Sequence, residues 1–443
     1  MKKQSAKLSR LLGIGLIVMA MATFPGIVGK AQGQEVLTLE AAVQEGIKNN
    51  TLIKEMIAKE KAAVAGEMST RADLFPKLNT TYTFFHLKDR PYAYSGPYKF
   101  DVSKRDNISW DFTITQPLFT GFALITRQKI ASLGIDLQEI QREQAVLDIA
   151  KQVKISYFQI LLARRALEVA EEEVKQLENH VDDARHLYNE GVIPYNDYLK
   201  SEVALAQSRQ GRVKAESDLK ITISALNTLI RRNILDNTVI KELPPFQPRP
   251  YNISRLFEDA IQNRPELKAL RVALRQADLG IRLARSQYYP KVYLMGRYER
   301  EGDNLLASNN DFANQHNTSI GIQISWPLFE SGKKHAEVTR AIYQEQVLTE
   351  RIKGIKDSIL LEVRNAYQGL KVAEKNIQTA RKALAQAKEN FRITNLQYQQ
   401  QTTTSTEVLD ARTFLTQAEV NYHNALYGYR IAEAELMRAT GRM

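Results

Sequence analysis

Apolar residues recur every three or four positions through the last third of the chain. Between Ile352 and Phe391 the spacing alternates between three and four with one irregular step, which is a heptad pattern. Such a pattern predicts a long helix wound left-handedly against partner helices. Similar positions recur in the first half, from Val153 to Ala184. The predicted helices cover 51–73, 121–190, 195–231, 265–286, 332–400 and 405–440.

The lengths of these helices bear on how they assemble. Each of the two longest helices would measure ~100 Å at 1.5 Å per residue. In each half, the two shorter helices together nearly equal the long one, so they could stack end to end beside it. An isolated coiled-coil dimer would also show heptads. The length match favours a tube of helices.

Two short stretches in each half change to alternation with period two. The segment 108–115 places Ile108, Trp110, Phe112 and Ile114 on one face, and 319–326 repeats the alternation. Upstream partners are predicted at 78–87 and 291–300. Each half is therefore expected to contain one antiparallel hairpin. The connections 88–106 and 301–317 are rich in Gly, Pro, Asn and Asp, as is typical of exposed loops.

The predicted strands have the length of a tilted bilayer crossing, which takes ~9 to 11 residues. An ordinary soluble hairpin packed on a helix would show the same alternation. Aromatic residues near strand ends, namely Tyr82, Trp110 and Trp326, favour the membrane because interfacial girdles are aromatic. Four strands cannot close a barrel. Two chains would give a filled barrel and three a wider one, which favours a trimer.

The chain also repeats itself. Asn49-Asn50 corresponds to Asn263-Arg264 at an offset of 214, whereas Pro117-Leu118-Phe119 corresponds to Pro327-Leu328-Phe329 at an offset of 210. The change falls inside the hairpin loop, where length varies easily. We expect a first repeat at 32–242 and a second at 252–443. A proline-rich linker at 243–251 separates them.

The first 31 residues have the composition of an export signal. Four basic residues lie within the first ten positions, and an uncharged stretch from 11 to 29 ends in small residues. This predicts a cleavable signal peptide at 1–31, with a retained anchor as the alternative. No later segment approaches the ~20 apolar residues of a spanning helix, so any membrane crossing would be made by strands.

Composition argues against several functional classes. The formal net charge is +11, but the basic residues are spread among acidic ones, which gives no support to nucleic-acid binding. Cysteine is absent, which removes disulfides and thiolate metal sites. The six histidines are scattered, and His180 and His186 would face different sides of a helix. We therefore expect no enzyme activity, no catalytic residues, no cofactor and no metal site.

The order of these features resembles the outer membrane efflux protein family. The resemblance is carried by Pro-Leu-Phe after a strand in both halves, the Asn-Asn or Asn-Arg-Pro start of each repeat, and Val408-Leu409-Asp410-Ala411 ten residues after Tyr398. It covers about 38–441. It implies a mainly α fold with a small β part: a homotrimeric 12-strand outer-membrane β-barrel continued by a 12-helix periplasmic α-barrel.

The resemblance also implies a role and partners. Such a channel is the exit duct of a tripartite efflux or type I secretion system. It would dock on a periplasmic adaptor and on an RND, ABC or MFS pump in the inner membrane, which supplies the energy. A wide tube selects little, so the pump would choose the cargo. The alternative is a periplasmic adaptor or structural coiled-coil protein, but such a protein would not need four alternating strands.

Site residues follow by motif position. Glu407 and Asp410 are expected to form acidic rings at the periplasmic aperture, although acids at a helix start are also favoured by its dipole. Tyr398 and Asp197 are expected to form the closed-tip lock. The remaining assignments are helix turns or adaptor contacts at Gly191, Pro194 and Thr403, and strand-to-helix turns at Pro117 and Pro327. The family's usual glycine and arginine in the second helix turn are replaced by Gln401 and Thr403, which puts a salt-bridge lock in doubt.

Overall fold

The structure, a computed structural model, describes residues 36–244 and 247–443. The predicted signal at 1–31 lies outside the described residues. The helices are α1 Leu39–Asn49, α2 Thr51–Ala72, α3 Ala123–Asn189, α4 Tyr195–Ile230, α5 Ile253–Asn263, α6 Pro265–Arg285, α7 Lys333–Gln399 and α8 Ser405–Ala439. The strands are β1 Lys77–His86, β2 Tyr92–Ser95, β3 Tyr98–Asp101, β4 Asp106–Phe119, β5 Lys291–Gly302 and β6 His316–Ser325.

The main elements occur twice in the same order. All six predicted helices form, with ends within three residues of the expected positions. Two further helices, α1 and α5, were not predicted. Each has 11 residues and is separated from the next helix by one extended residue, Asn50 or Arg264. Helices this short are marginal without tertiary packing, which here is supplied by α3 and α7 respectively.

The long helices lie side by side in the order α4, α3, α8, α7. Helix α3 packs against both α4 and α8, whereas α7 packs mainly on α8 and α6. The heptad seam of α7 is confirmed, because every seam position from Ile352 to Phe391 is buried or half-buried. The outer faces of the two flanking helices remain apolar and exposed in the single chain. On α4 these residues are Leu199, Val203, Val213 and Ile221, and on α7 they are Tyr343, Val347, Leu361 and Val372.

The four long strands form one antiparallel sheet in the order β1-β4-β5-β6. The predicted hairpins are confirmed as β1–β4 and β5–β6. The pairing of β4 with β5 joins the two halves into one sheet. In the single chain, β1 and β6 are its free edges.

The sheet has one apolar and one polar face. Cross-strand partners point to the same side, so the register assigns each residue to a face. The apolar face carries Leu78, Tyr82, Phe84, Trp110, Phe112, Ile114, Val292, Leu294, Ile320, Ile322 and Ile324. The polar face carries Asn79, Thr81, Thr83, Ser109, Asp111, Thr113, Arg297, Glu299, Ser319 and Gln323. Within the described parts of the chain no helix covers either face, and β6 is exposed along its whole length.

The segment 88–106, expected to be an exposed loop, is mostly exposed and contains the strands β2 and β3. These pair with each other and continue the β1–β4 hairpin after a shift of one residue in the register. Leu87 N donates to Arg105 O, and Val102 N donates to Pro91 O, which bridges the two parts. The two short strands were not predicted, because turn-rich composition does not exclude a hairpin whose Tyr and Phe residues favour strands.

The strand-to-helix turns use left-handed backbone. Pro117 lies at the register shift near the end of β4, and Pro327 follows β6. Each turn then has two consecutive residues with positive φ, Gly121 with Phe122 and Ser331 with Gly332. Lys334 donates a hydrogen bond to Pro327 O and so braces the second turn. Among the described residues, no helix is long and apolar enough to cross a membrane.

The two turn glycines provide a matched test of packing. A Cβ at Gly121 would lie 2.4 Å from Ser286 O, whereas a Cβ at Gly332 would meet nothing within 4 Å. Gly332→Ala is expected to destabilise by about 1 kcal/mol from backbone strain alone. Gly121→Ala adds a clash and is expected to reach about 3 kcal/mol. Guanidinium unfolding in detergent, followed by circular dichroism, measures both. Equal losses would contradict the tight packing of Gly121.

Candidate functional site at the helix tips

The tips of the two helical hairpins share one turn geometry. After α3, Gly191 adopts φ 75°, and after α7, Gln401 adopts φ 62°. In each turn two consecutive N–H groups donate to the preceding helix. Gly191 N and Val192 N donate to Tyr188 O and Leu187 O, and Gln401 N and Thr402 N donate to Tyr398 O and Gln397 O. Gln401 therefore stands in the left-handed position that glycine fills in the first repeat. The two turns have the same geometry, but the left-handed backbone is strained at glutamine and unstrained at glycine.

The helices that leave these turns begin differently. Pro194 precedes α4 with extended backbone and without a side-chain cap. In the second turn Thr404 is the N-cap of α8, and its Oγ1 accepts a hydrogen bond from Glu407 N at 3.4 Å. Thr403 lies one residue earlier and is half-buried. Both turns are thus held by local hydrogen bonds, without an arginine in the second turn.

A buried polar cluster joins three of the four tip helices. His180 of α3 makes a hydrogen bond through Nε2 to Ser405 Oγ of α8 at 2.8 Å, and Ser405 Oγ in turn lies 3.0 Å from Ser201 Oγ of α4. Ser201 Oγ also donates to Asp197 O at 3.1 Å. All three side chains are buried. We call His180, Ser201 and Ser405 the tip cluster.

Helix α7 reaches the tip cluster through Tyr398. Its buried ring lies 4.9 Å from the His180 ring, measured between centroids. Tyr398 Oη lies near Ser405 but makes no well-formed hydrogen bond to any described residue. Burial raises the pKa of this phenol. The expected hydrogen bond from Tyr398 to Asp197 is therefore absent from the single chain.

Asp197 has a different partner. Its Oδ1 accepts from Lys200 Nζ at 3.1 Å, and Lys200 Nζ also lies 3.3 Å from Thr406 Oγ1 of α8. The carboxylate thus holds a lysine that bridges the tips of α4 and α8. Sequence reasoning selected Asp197 but missed Lys200 and the tip cluster, because bridging and burial depend on which helices become neighbours.

The two predicted aperture acids lie close to the second turn. Glu407 and Asp410 occupy the first two turns of α8, and both are exposed. Negative charge is favourable at Glu407, in the first turn, because the helix N-terminus carries partial positive charge. Exposure also leaves both carboxylates free to face solvent or a second copy of the chain.

A buried arginine stabilises the contact between α3 and α8 further from the tip. Arg412 Nη1 donates to Gln176 Oε1 at 2.7 Å, and the guanidinium lies 5.7 Å from the Phe391 ring centroid. Glu419 is 3.9 Å away and is its acidic partner. Burial lowers the pKa of Arg412 and raises that of Glu419. The loss of hydration of the two buried charges offsets much of their mutual attraction.

The described residues offer no metal-binding cluster: none of their His, Cys, Asp and Glu residues form a group of three or more suited to an ion. His180, the buried histidine near the tip, makes its hydrogen bond to Ser405 through Nε2.

The tip cluster predicts a pH dependence of tip packing. Burial lowers the pKa of His180 from 6.5 to about 4. An exposed His180 binds a proton more readily than the packed one, so packing is most stable above pH 6.5 and weakens as pH falls toward 4. Between pH 7 and pH 5 the free energy of local opening is expected to fall by about 2 kcal/mol. Hydrogen exchange of residues 395–410, corrected for intrinsic rates, measures it.

Glutamine in the His180→Gln variant keeps hydrogen-bonding capacity but does not titrate between pH 7 and pH 5. The free energy of local opening of this variant should therefore be nearly independent of pH. His186→Gln, on the exposed side of α3, is the control and should behave like the unmodified chain. An equal fall in the His180→Gln protein would rule out His180 as the cause.

Comparison with known proteins agrees with this architecture. The sequence pattern of the family described as "Outer membrane efflux protein" matches residues 42–230 and 256–442. Outer membrane protein TolC of Escherichia coli (strain K12) is 21% identical over 413 residues, which cover 90% of this chain and 81% of that protein. The toluene efflux pump outer membrane protein TtgC of Pseudomonas putida is 21% identical over 441 residues, which cover 91% and 82%.

The fold likeness extends over nearly the whole chain. The crystal structure of the Campylobacter jejuni CmeC outer membrane channel matches with a TM-score of 0.77 at 16% identity, covering 91% of this chain and 85% of that one. Family and fold are those of outer-membrane transport channels, as the order of motifs predicted. The chain belongs to the outer membrane efflux protein family.

Proposed function

We propose that three copies of this chain form the exit duct of an efflux or secretion system, a passive conduit gated at its periplasmic tip. The observation that carries the proposal is the uncovered sheet with one apolar and one polar face. In lipid, each unpaired backbone group at its edges would cost several kcal/mol. Closing the sheet with other copies removes both edges.

The height of the apolar face supports a membrane location. Trp110 pairs with Arg300, and Lys291 pairs with Ser325, the residue before Trp326. The nine steps from Lys291 to Arg300 span ~30 Å along the strand at ~3.3 Å each. With a tilt of ~40° the height is ~23 Å, close to the ~25 Å band of outer-membrane barrels. Tyr82 and Trp110 lie at one boundary and Trp326 at the other.

A trimer accounts both for the free edges of the sheet and for the exposed apolar sides of the helices. Four strands per chain then give a twelve-strand barrel whose apolar face meets lipid. Its polar face would line the passage, where Arg297 donates to Asp111 at 2.7 Å and to Glu299 at 2.7 Å. The exposed apolar sides of α4 and α7 would meet between neighbours. The four long helices per chain give a tube of twelve in the periplasm.

The tip residues would act together in closing the duct. We propose that Asp197 and Tyr398 form the lock, and that Glu407 and Asp410 line the aperture. In the single chain the Asp197 carboxylate binds Lys200. Lys200 also contacts Thr406, the residue before Glu407. The buried Tyr398 Oη has no well-formed bond among the described residues, so it can form one when the helices of three chains coil inward.

The proposed partners are a periplasmic adaptor and an inner-membrane RND, ABC or MFS pump. The exposed turns at Gly191 and Pro194, with Thr403 in the second turn, offer the surface for the adaptor. The name of TtgC links that relative to an efflux pump. We also propose that 32–242 and 252–443 are tandem copies joined by the linker 243–251, which lacks helix and strand where it is described.

Single-channel recording in planar bilayers tests the duct and its aperture. The purified chain should form cation-selective channels. Neutralising both acids with Glu407→Gln and Asp410→Asn should lower the preference for K⁺ over Cl⁻ by at least about fivefold, because potentials of several kT form in a narrow charged constriction. Glu350→Gln, on the exposed side of α7, should leave it unchanged. An unaltered reversal potential in the double variant would exclude the acidic rings.

The lock is tested by conductance. Asp197→Ala frees Lys200 from its carboxylate and is expected to weaken tip closure by about 1 kcal/mol per chain, about fivefold in the ratio of open to closed states. Tyr398→Phe should also raise conductance if its Oη bonds to Asp197 in the assembled channel. Asp182→Ala, which removes an exposed pair with Arg185, is the matched control. Unchanged conductance in both lock variants would count against the assignment.

A further inference from the structure

The loop between β5 and β6 folds back over the apolar face of the sheet. Tyr82, which lies on that face of β1, donates through Oη to Leu305 O at 2.9 Å. Beneath the loop, Ile108 of β4 is only 3% exposed, although most of this face is open. Phe84 and Ile108 line a small hollow together with Leu305 and Leu306. The loop is thus attached to the side of the sheet that the proposed function turns toward lipid.

The loop has a defined internal structure. Asn304 Oδ1 accepts from Ser308 N at 2.9 Å, and Asp303 N donates to Asn309 O at 2.8 Å. Ala307 is fully buried with φ 48°. A Cβ on Gly302 would lie 2.8 Å from the Ala307 carbonyl carbon, so the backbone here packs tightly on itself. These contacts fix the position of the two leucines between them.

A charged clamp ties the loop to the other hairpin. Lys104, in the link from β3 to β4, forms ion pairs with Asp303 and with Asp311, the latter at 2.8 Å. Both carboxylates raise the pKa of Lys104 by hydrogen bonding to its ammonium. Two carboxylates of the loop thus share one ammonium of the other hairpin, and the clamp keeps a net charge of −1.

The side chains of the two leucines lie mostly outside the packing of the chain. Leu305 is 78% exposed and Leu306 is 69% exposed. The loop thus buries the small Ala307 and exposes the two larger leucines. Contact of these large apolar side chains with water is unfavourable. Their surroundings point to the occupant, because they continue the apolar face at the level of Tyr82 and Trp110, where amphipathic aromatic side chains mark a membrane interface.

We propose that Leu305 and Leu306 insert into the outer leaflet at the boundary between headgroups and acyl chains, and so anchor this loop to the membrane. The inference rests on the proposed function, since it requires the apolar face to be the lipid face. Contact with a neighbouring copy is the competing outcome, because Tyr82 belongs to the edge strand β1.

The absence of cysteine makes a labelling test direct. Leu305→Cys and Leu306→Cys are each modified with a nitroxide spin label in the full chain, reconstituted into phospholipid vesicles. Electron paramagnetic resonance then compares collisions with O₂, which is enriched in lipid, and with a water-soluble nickel chelate. Ile322→Cys on the exposed apolar face serves as the lipid reference, and Leu235→Cys, 87% exposed between α4 and α5, as the water reference.

The expected result is a high ratio of O₂ to nickel collisions at 305 and 306, closer to Ile322 than to Leu235. A ratio like that of Leu235 would overturn the anchor while leaving the channel intact. Low collision rates with both reagents and an immobilised spectrum would overturn it in favour of contact with another copy. A water-like ratio at Ile322 itself would instead refute the lipid-facing sheet, and with it both proposals.

Discussion

Backbone hydrogen bonding at the free edges of β1 and β6 is the constraint on which the rest of the structure depends. A strand edge can be left open in water, but in lipid each unpaired N–H or C=O group costs several kcal/mol, and an edge carries a row of them. The four-strand sheet therefore requires other copies if its apolar face lies in a membrane. The trimer proposed above would also cover the exposed apolar sides of α4 and α7, so one requirement would account for both surfaces.

Stability is distributed unevenly along the molecule. Far from the tips, α3, α4, α7 and α8 bury continuous apolar seams, with residues such as Val153, Ile160 and Val363 fully enclosed. Near the tips a smaller apolar cluster of Val174, Leu177, Val181 and Leu205 is joined by the buried polar groups of the tip cluster. His180 Nδ1 and Tyr398 Oη are buried without hydrogen-bond partners among the described residues. Regions that move are drawn from the less stable parts of a structure, which agrees with the gating proposed for the tips.

The two halves of the chain share the order of their elements but differ in what surrounds them. Helix α3 lies between α4 and α8, whereas its counterpart α7 lies at one side of the chain. Tyr157 is accordingly fully buried and donates to Leu37 O and Lys241 O, whereas the corresponding Tyr367 is only half-buried. The turns differ as well, since a strain-free glycine at 191 corresponds to a left-handed Gln401.

The sequence by itself determined the elements and the family. Apolar residues recur every second position in a strand and about every 3.5 positions in a long helix, and this spacing is local because it is set by which face of the element must be apolar. The long helices, the four long strands and their double occurrence could therefore be predicted. Only the tertiary structure decided the pairing of β4 with β5 and the formation of α1 and α5. It also decided the contact of Ser405 with His180 and Ser201, which lie more than 200 residues earlier in the chain. Burial and partner choice depend on which helices become neighbours. That is settled by packing over the whole chain, which no local pattern of residues encodes.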